Sequence, residues 1–411
     1  MDLIRLKTIN PDVLIFLAFL AYFGTMPMGT APPTIFGAIA TGIWLISGRV
    51  MRMFSLPLPR RWLWPVLFMM ALPLVGLVYS PDPWGLGLNY AGKIHYWIYG
   101  LVLATIVIVR SPERLIHLFL IGLAINAIVG AIQLIGWIPA RDGCCTGLGR
   151  GYNTLSAYLV LGIVLVSFYF HRVGDRRWKI LILLLTGLYF FHLIILWGRA
   201  GYLTFLILSP LLIRNMLPRL SLWKTSLILP VMVGLMLMSP IVRERVQLSI
   251  DQIRFHLNAD PSISWGKTYN VHQDRFFMWR SALEIIREHP ILGLGTGGYG
   301  TIRTSQGDQI AHPHNDLLQM AVSFGLVGVA AYLWLFGGML RRSWPLRQTP
   351  VGFFVLASSL VFFISGLFNS QTLDAGMALL LAVTSGLQSS FASNIPKDIT
   401  PGQPLSTPPQ C

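Results

Sequence analysis

The chain reads Asp274-Arg275-Phe276-Phe277-Met278-Trp279-Arg280 within a polar stretch, residues 241–315, that interrupts an otherwise apolar sequence. Two more polar motifs follow in this stretch: Glu288-His289-Pro290-Ile291-Leu292-Gly293-Leu294-Gly295 and His312-Pro313-His314-Asn315-Asp316. On both sides of it, apolar segments recur that approach the roughly 20 residues a helix needs to cross the bilayer core. The stretch therefore divides a series of membrane-spanning helices into two unequal groups.

The composition supports this fold class. Of 411 residues, 54% are hydrophobic and 11% are charged, which excludes an ordinary soluble domain. We predict an all-α polytopic membrane protein with about twelve transmembrane helices. The predicted spans are 12–29, 33–48, 63–79, 93–109, 114–136, 152–170, 178–196, 200–216, 223–240, 316–339, 350–369 and 371–391.

Four regions follow from these spans. Residues 1–240 hold helices one to nine, residues 241–315 form one long segment outside the membrane, and residues 316–391 hold helices ten to twelve. Residues 392–411 are rich in Pro, Ser and Thr and predict a disordered tail.

The placement of basic residues predicts the orientation. The two termini and the even-numbered connections between spans carry most of the 31 Lys and Arg residues. Short basic loops stay in the cytoplasm, so both termini are predicted to be cytoplasmic and the long segment to be periplasmic. The net charge of +15 mostly reflects this anchoring in the lipid bilayer. No basic stretch outside the spans is interleaved with base-stacking aromatic residues, so no nucleic acid partner is expected.

The long segment contains a predicted amphipathic helix over about residues 275–289, which Pro290 ends. Its apolar residues recur at helical spacing. They are Phe276, Trp279, Leu283 and Ile286. Such a helix lies at the membrane surface or caps a cavity. Arg275 is at its start, where the helix dipole disfavours a cation, so we expect an anion to hold Arg275; the other interpretation is a solvated surface arginine.

A glycine-rich stretch follows, with glycines at 293, 295, 297, 298 and 300. Two interpretations are open. Its backbone amides could cradle a phosphate, or the glycines could form a tight turn that passes close to the helix bundle. The tight turn is favoured, because the pattern lacks the Lys-Ser/Thr ending of a nucleotide loop.

His312 and His314 precede the tenth span, and Asn315 is a predicted helix cap. The positive end of the helix dipole keeps a nearby imidazole neutral and ready to accept a proton, and it also attracts phosphate. Arg199 lies in a very short turn between spans seven and eight, where a charge is costly. The histidines and Arg199 also have a structural interpretation. In it, the histidines only lie beside a helix cap, and the Arg199 side chain extends to the outer lipid headgroups.

These residues resemble the O-antigen ligase family. The motifs that carry the resemblance are Arg275-Phe-Phe-Met-Trp279, His289-Pro290-Ile-Leu-Gly293-Leu-Gly295 and His314-Asn315-Asp-Leu-Leu-Gln319, and Arg199 and Phe368-Asn369-Ser370 also fit. O-antigen polymerases, protein O-oligosaccharyltransferases and some proteins described as transporters share this signature. The layout of many spans resembles the type C glycosyltransferase architecture.

The resemblance implies a reaction. The donor would be a glycan on undecaprenyl pyrophosphate at the outer face of the bacterial inner (cytoplasmic) membrane, and the acceptor a sugar hydroxyl of the lipid A–core oligosaccharide. His314 would be the general base, with His312 as the alternative, and Arg275 and Arg199 would bind the pyrophosphate. The further candidates for substrate binding are Asn315, His312, Arg280 and Arg150.

No cofactor or metal is expected. The first outward loop, Gly29-Thr30-Ala31-Pro32-Pro33-Thr34, has no carboxylate, and Asp82 in the second outward loop alone makes no metal site.

Three other functions stay open. An O-antigen polymerase would use a second lipid-linked glycan as acceptor, and a protein O-oligosaccharyltransferase would use a Ser or Thr hydroxyl. A transporter needs a polar path through the spans, yet ionisable residues deep within the spans are few, mainly His95, His117 and His192.

Overall fold

The structure, a computed structural model, describes residues 10–55, 60–106, 112–141, 143–149, 151–258, 275–306, 311–389 and 391. Its longer helices are numbered here in chain order. They are α1 (Pro11–Thr25), α2 (Ala31–Ile46), α3 (Arg60–Leu77), α4 (His95–Ile106), α5 (Glu113–Ile135), α6 (Tyr152–Tyr169), α7 (Arg176–Ile195), α8 (Arg199–Met216), α9 (Leu222–Leu237), α10 (Pro240–Asn258), α11 (Arg275–Glu288), α12 (Gly298–Ser305), α13 (Asp316–Ser343), α14 (Pro350–Gly366) and α15 (Ala375–Ser389).

Each of the twelve predicted spans overlaps one of these helices, α1 to α9 and α13 to α15. Among the described residues, five helical segments are long and apolar enough to cross a membrane alone. They are Pro11–Met28, Glu113–Ile135, Tyr152–Tyr169, Arg176–Ile195 and Asp316–Ser343. Two bent pairs raise the number to seven: Ala31–Ile46 with Arg49–Ser55, bent by 86°, and Leu227–Leu237 with Pro240–Leu257, bent by 103°. The all-α class is confirmed, whereas twelve crossings, the four regions and the periplasmic placement of 241–315 stay predictions. The tail 392–411 lies outside the described residues.

Local sequence signals fix several helix starts. The Asn10 side chain accepts a hydrogen bond from the backbone N–H of Asp12 at 3.0 Å, and Pro11 occupies the first turn. Asp175 caps α7 in the same way, through the Arg177 N–H at 2.8 Å. Each cap satisfies an amide that has no partner inside its helix, so these starts follow from the adjacent residues.

The helix α6 lies in the centre of the bundle. It is buried over most of its length, whereas only a minority of α7 residues is buried. It packs against α7, α8 and α14. A helix that is apolar all round is stable only when it is enclosed in this way, and the enclosure fixes where the residues at its two ends lie.

The helix α13 is interrupted, and the long polar segment fills the interruption. Gly325 has φ 59° and ψ −150°, a conformation that breaks the hydrogen-bond ladder of the helix. The Val322 and Ser323 carbonyls, just before the break, accept hydrogen bonds from the backbone N–H groups of Leu294 at 2.8 Å and Gly295 at 2.9 Å. Backbone groups at this depth need such partners, so the segment is built into the bundle.

This contact decides between the two interpretations of the glycine-rich stretch. Gly295 has φ +84°, and a Cβ there would meet the Gly76 carbonyl oxygen at 2.4 Å. The tight turn close to the bundle is confirmed. The Gly295 and Thr296 amides bond to the Ser323 and Gly76 carbonyls, so these two amides do not form a phosphate cradle.

The predicted amphipathic helix is present as α11, but its buried face overlaps the predicted one only in part. Met278, Ala282 and Ile285 pack against Tyr299 and Val322. Of the predicted apolar face, Trp279 and Ile286 are partly buried against this cluster, whereas Phe276 and Leu283 are 41% and 49% exposed. The spacing identified the helix, and the approach of α12 and α13 determined which side became the contact.

Candidate active site

Several helix ends meet at one end of the bundle. The helices α6, α8, α11 and α13 begin there, and α14 ends there. An open cavity of about 350 Å³ lies between the start of α6, the residues before α13 and the connection from α14 to α15. Its lining residues are Gly151, Tyr152, Asn153, Thr154, His312, His314, Asn369, Ser370, Leu373, Asp374 and Ala375. The starts of α6 and α13 direct their positive dipole ends towards this cavity, which favours an anion.

His314 is held in a special conformation. Its φ is 51°, in the left-handed region that side chains other than glycine rarely adopt. Its Nδ1 lies 2.8 Å from Asn369 Oδ1. A carboxamide oxygen can only accept, so Nδ1 carries the proton and Nε2 keeps a free electron pair. Such strain is typical of functional sites.

The electrostatic surroundings keep His314 neutral. Burial lowers the pKa of its imidazole, the hydrogen bond to Asn369 acts in the opposite direction, and the charges of Arg275 and Arg199 lower the pKa further. An imidazole whose pKa lies below its ordinary value is unprotonated at neutral pH, so His314 can accept a proton.

His312 lies directly beside it. The two imidazole ring centroids are 4.3 Å apart and the rings are inclined at 72°. Burial, followed by the charges of His314, Lys93 and Arg275, lowers the pKa of His312 to about 3. Its Nδ1 is buried and has no hydrogen-bond partner in the described part of the chain. Of the two candidate bases, His314 therefore has an orienting partner on Nδ1 and His312 has none there.

Two arginines face the histidines. Arg199 is the first residue of α8, and its Nη1 donates to Gln252 Oε1 at 2.8 Å and Ser249 Oγ at 3.1 Å, both on α10. Arg275 is the first residue of α11. Burial and, after it, the neighbouring Arg199 charge lower the pKa of its guanidinium to about 10. Two partly desolvated cations at short range are unfavourable unless an anion joins them.

Asn315 and Asp316 hold the backbone around the site in place through hydrogen bonds. Asn315 Oδ1 accepts from the Leu318 N–H at 3.1 Å, so the predicted helix cap is present, and its Nδ2 donates to the Leu367 carbonyl at 2.9 Å. The buried Asp316 carboxylate accepts from Thr372 twice, from N–H at 3.0 Å and from Oγ1 at 2.7 Å. Together these bonds hold the connection that carries Asn369 against the start of α13.

Part of the chain that contains much of this site matches a known protein family. Residues 151–333 match the family model described as O-antigen ligase. The chain carries an O-antigen ligase family domain. The resemblance inferred from the motifs is thereby confirmed, and the domain contains Arg199, Arg275, His312 and His314. No curated protein matches the chain.

Proteins with this domain are glycosyltransferase-like enzymes of O-antigen processing, and the domain supports the ligase and polymerase superfamily. The apolar helices and the domain together make the chain a multi-pass membrane protein. Lipid-linked glycans are the class of substrate that such proteins handle.

The structure brings together five of the sequence-predicted site residues, all within this O-antigen ligase family domain. They are His314, His312, Arg275, Arg199 and Asn315. Arg280 instead lines a second cavity of about 550 Å³, where its Nε lies 3.2 Å from Glu284 Oε1. Arg150 lies outside the described residues.

Two residues at the site were absent from the sequence-based set of candidates. Asn369 is 55 residues from His314, and only the family resemblance pointed to its stretch. Lys93 donates to the Leu373 carbonyl, and its charge acts on His312. A lysine at the edge of a predicted span is a signal that could have identified it.

The described residues contain no group of three or more His, Cys, Asp or Glu side chains suited to hold a metal ion. The structure therefore assigns no metal ligands at this site.

Proposed function

We propose that the protein is an O-antigen ligase that moves a glycan from undecaprenyl pyrophosphate to a sugar hydroxyl of lipid A–core, at the periplasmic face of the inner membrane. The observation that carries this proposal is the geometry of His314. Its Nδ1 is bound by Asn369, its Nε2 is available, and it shares its surroundings with two arginines.

The reaction follows from these positions. The acceptor hydroxyl oxygen attacks the anomeric carbon of the donor while the bond from that carbon to the pyrophosphate oxygen breaks. His314 Nε2 takes the hydroxyl proton. General-base help of this kind is typically worth about 10² to 10⁴ in rate.

The arginines stabilise the negative charge of the leaving group. Undecaprenyl pyrophosphate departs with its bonding electrons, so negative charge grows on its phosphate oxygens. Arg275 and Arg199 each offer a planar fork of donors that matches phosphate in a bidentate way. Their mutual repulsion is relieved when the pyrophosphate binds between them, which gives the donor site its selectivity for an anion.

The remaining residues support this arrangement. Asn369 fixes the tautomer of His314. Asn315 positions the start of α13, since both its polar atoms already bond to the protein. His312 lines the cavity, and the charge of Lys93 adds to the positive field around it. Arg280 and Arg150 stay proposals for substrate binding, and the transfer is proposed to need no metal.

A product analysis tests the proposal. Purified protein in detergent is supplied with a lipid-linked glycan and lipid A–core. A ligase transfers the glycan to lipid A–core. Elongation of the lipid-linked glycan with no product on lipid A–core would identify a polymerase, and no product of either kind would contradict an enzyme of this class.

A further inference from the structure

Another cavity, open to the surface, lies at the opposite end of the bundle. The helices α6, α8 and α13 end there, and α14 begins there, around a cavity of about 520 Å³. The α6 helix has 18 residues, so it separates this cavity from the candidate active site by roughly 27 Å. That distance is close to the thickness of a bilayer core, so the two cavities lie near opposite membrane surfaces.

The cavity is strongly cationic. Arg172, Arg214 and Arg347 line it, and among the described residues no Asp or Glu does. Each of the three helix C-termini offsets only about half a positive charge, and the start of α14 adds positive charge. The helix ends therefore explain why arginines are tolerated here and still leave a net positive field.

Neutral groups hold two of the three arginines. Arg172 donates from Nη1 to the Phe168 carbonyl at 2.6 Å and from Nη2 to Gln348 Oε1 at 2.6 Å. Arg347 donates from Nη1 to the Trp344 carbonyl at 2.9 Å. These bonds orient the guanidinium groups and leave their charges uncompensated, which prepares them for an anion.

The walls of the cavity are apolar. Phe168, Phe353 and Leu356 are buried within it, whereas Trp344 is 59% exposed at its rim. Arg172 lies 3.6 Å from the centroid of the Phe168 ring. A tryptophan at the rim is typical of the level of the lipid headgroups. Free phosphate needs only the arginines, whereas a lipid also uses the apolar wall.

We propose that this cavity binds the phosphate of an anionic phospholipid headgroup. Basic pockets between transmembrane helices are suited to such headgroups. The bound lipid would neutralise the arginines and tie together the ends of four helices, all of which reach the candidate active site at their other ends. The site would thus link lipid composition to the stability of the bundle.

Binding is measured by native mass spectrometry on the full chain in detergent, titrated separately with phosphatidylglycerol, phosphatidylcholine and inorganic phosphate. Arg214→Gln with Arg347→Gln removes two of the charges. A basic residue near a lipid surface contributes about 1 kcal/mol, so each change should weaken phosphatidylglycerol binding about fivefold and the pair about 25-fold. Arg176→Gln is the matched control, since Arg176 is exposed at the start of α7, on the same side, and does not line the cavity.

The outcomes separate the sources of the phosphate. Preference for phosphatidylglycerol over phosphatidylcholine, lost in the double variant and kept in the control, supports the proposal. Equal binding of both lipids, or equal loss in the control, overturns it. A third result is binding of inorganic phosphate that depends on the arginines, with no preference for phosphatidylglycerol. It would assign the site to free phosphate and overturn the proposal of a bound lipid. If the double variant does not fold, the single variant Arg214→Gln decides. The Arg214 side chain is exposed and makes no hydrogen bond in the described chain, so its replacement should not disturb the fold. Unchanged binding of phosphatidylglycerol in this variant would refute the site.

Discussion

The contact between Asn369 and His314 gives the most discriminating test of the proposed mechanism. Asn369→Asp replaces the neutral oxygen 2.8 Å from His314 Nδ1 by a charged one of nearly the same shape. An opposite charge at such a distance typically shifts a pKa by about 1 to 3 units. The new carboxylate favours the imidazolium, so the pKa of His314 should rise by that amount.

The sign of the effect on activity follows from the role of the base. His314 must be unprotonated to accept a proton, so transfer is lost as the pH falls through its pKa. In the native protein burial keeps this pKa below the ordinary value of about 6.5. The acid limb of the pH profile should therefore lie below this value in the native protein, and about 1 to 3 pH units higher in Asn369→Asp.

The assay is the rate of glycan transfer to lipid A–core at saturating substrate, measured across the acidic and neutral range. Asn153→Asp is the matched control, since Asn153 lines the same cavity and has no hydrogen bond to His314. It adds the same charge without the contact, so its shift should be smaller. Asn369→Leu removes the orienting bond, and a displaced base can cost about 10² in rate at every pH. Coincident acid limbs in Asn369→Asp and the native protein would refute His314 as the titrating base.

Four further outcomes are expected. His314→Ala should lower the transfer rate by about 10² to 10⁴ while the lipid-linked donor still binds, because the base acts only in the transition state; near-normal activity in the folded variant would move the role elsewhere. Arg275→Ala and Arg199→Ala should weaken donor binding as well as turnover, and Arg275→Lys should rescue poorly, since an ammonium lacks the bidentate fork; full rescue would show that charge alone suffices. Transfer should survive EDTA, and a loss that magnesium or manganese restores would reveal a metal site. A cysteine introduced at Gln306 should react with an impermeant reagent from the periplasmic side and one at Gln348 should not; the reverse pattern would overturn the orientation.

The sequence by itself determined the helices of this protein. Apolar runs of sufficient length predict spans wherever they occur, and each of the twelve predicted spans overlaps a helix. The start of α13 was also predictable, because Asn315 caps the Leu318 amide only three residues further on. The helix α11 followed from its periodicity and from Pro290. All these features depend on residues within a few positions of one another.

Only the tertiary structure decided which surfaces meet. The buried face of α11 depends on the approach of α12 and α13, so periodicity alone indicated the neighbouring face. The break at Gly325 is stable because a distant segment supplies its hydrogen-bond partners. Asn369 reaches His314 across 55 residues, and Lys93 acts on the same site from the turn just before α4. Helix packing sets such contacts, and one sequence carries no local signal for them because many pairings of apolar helices bury similar surface; here, tertiary packing selected the one that gathers the arginines around His314.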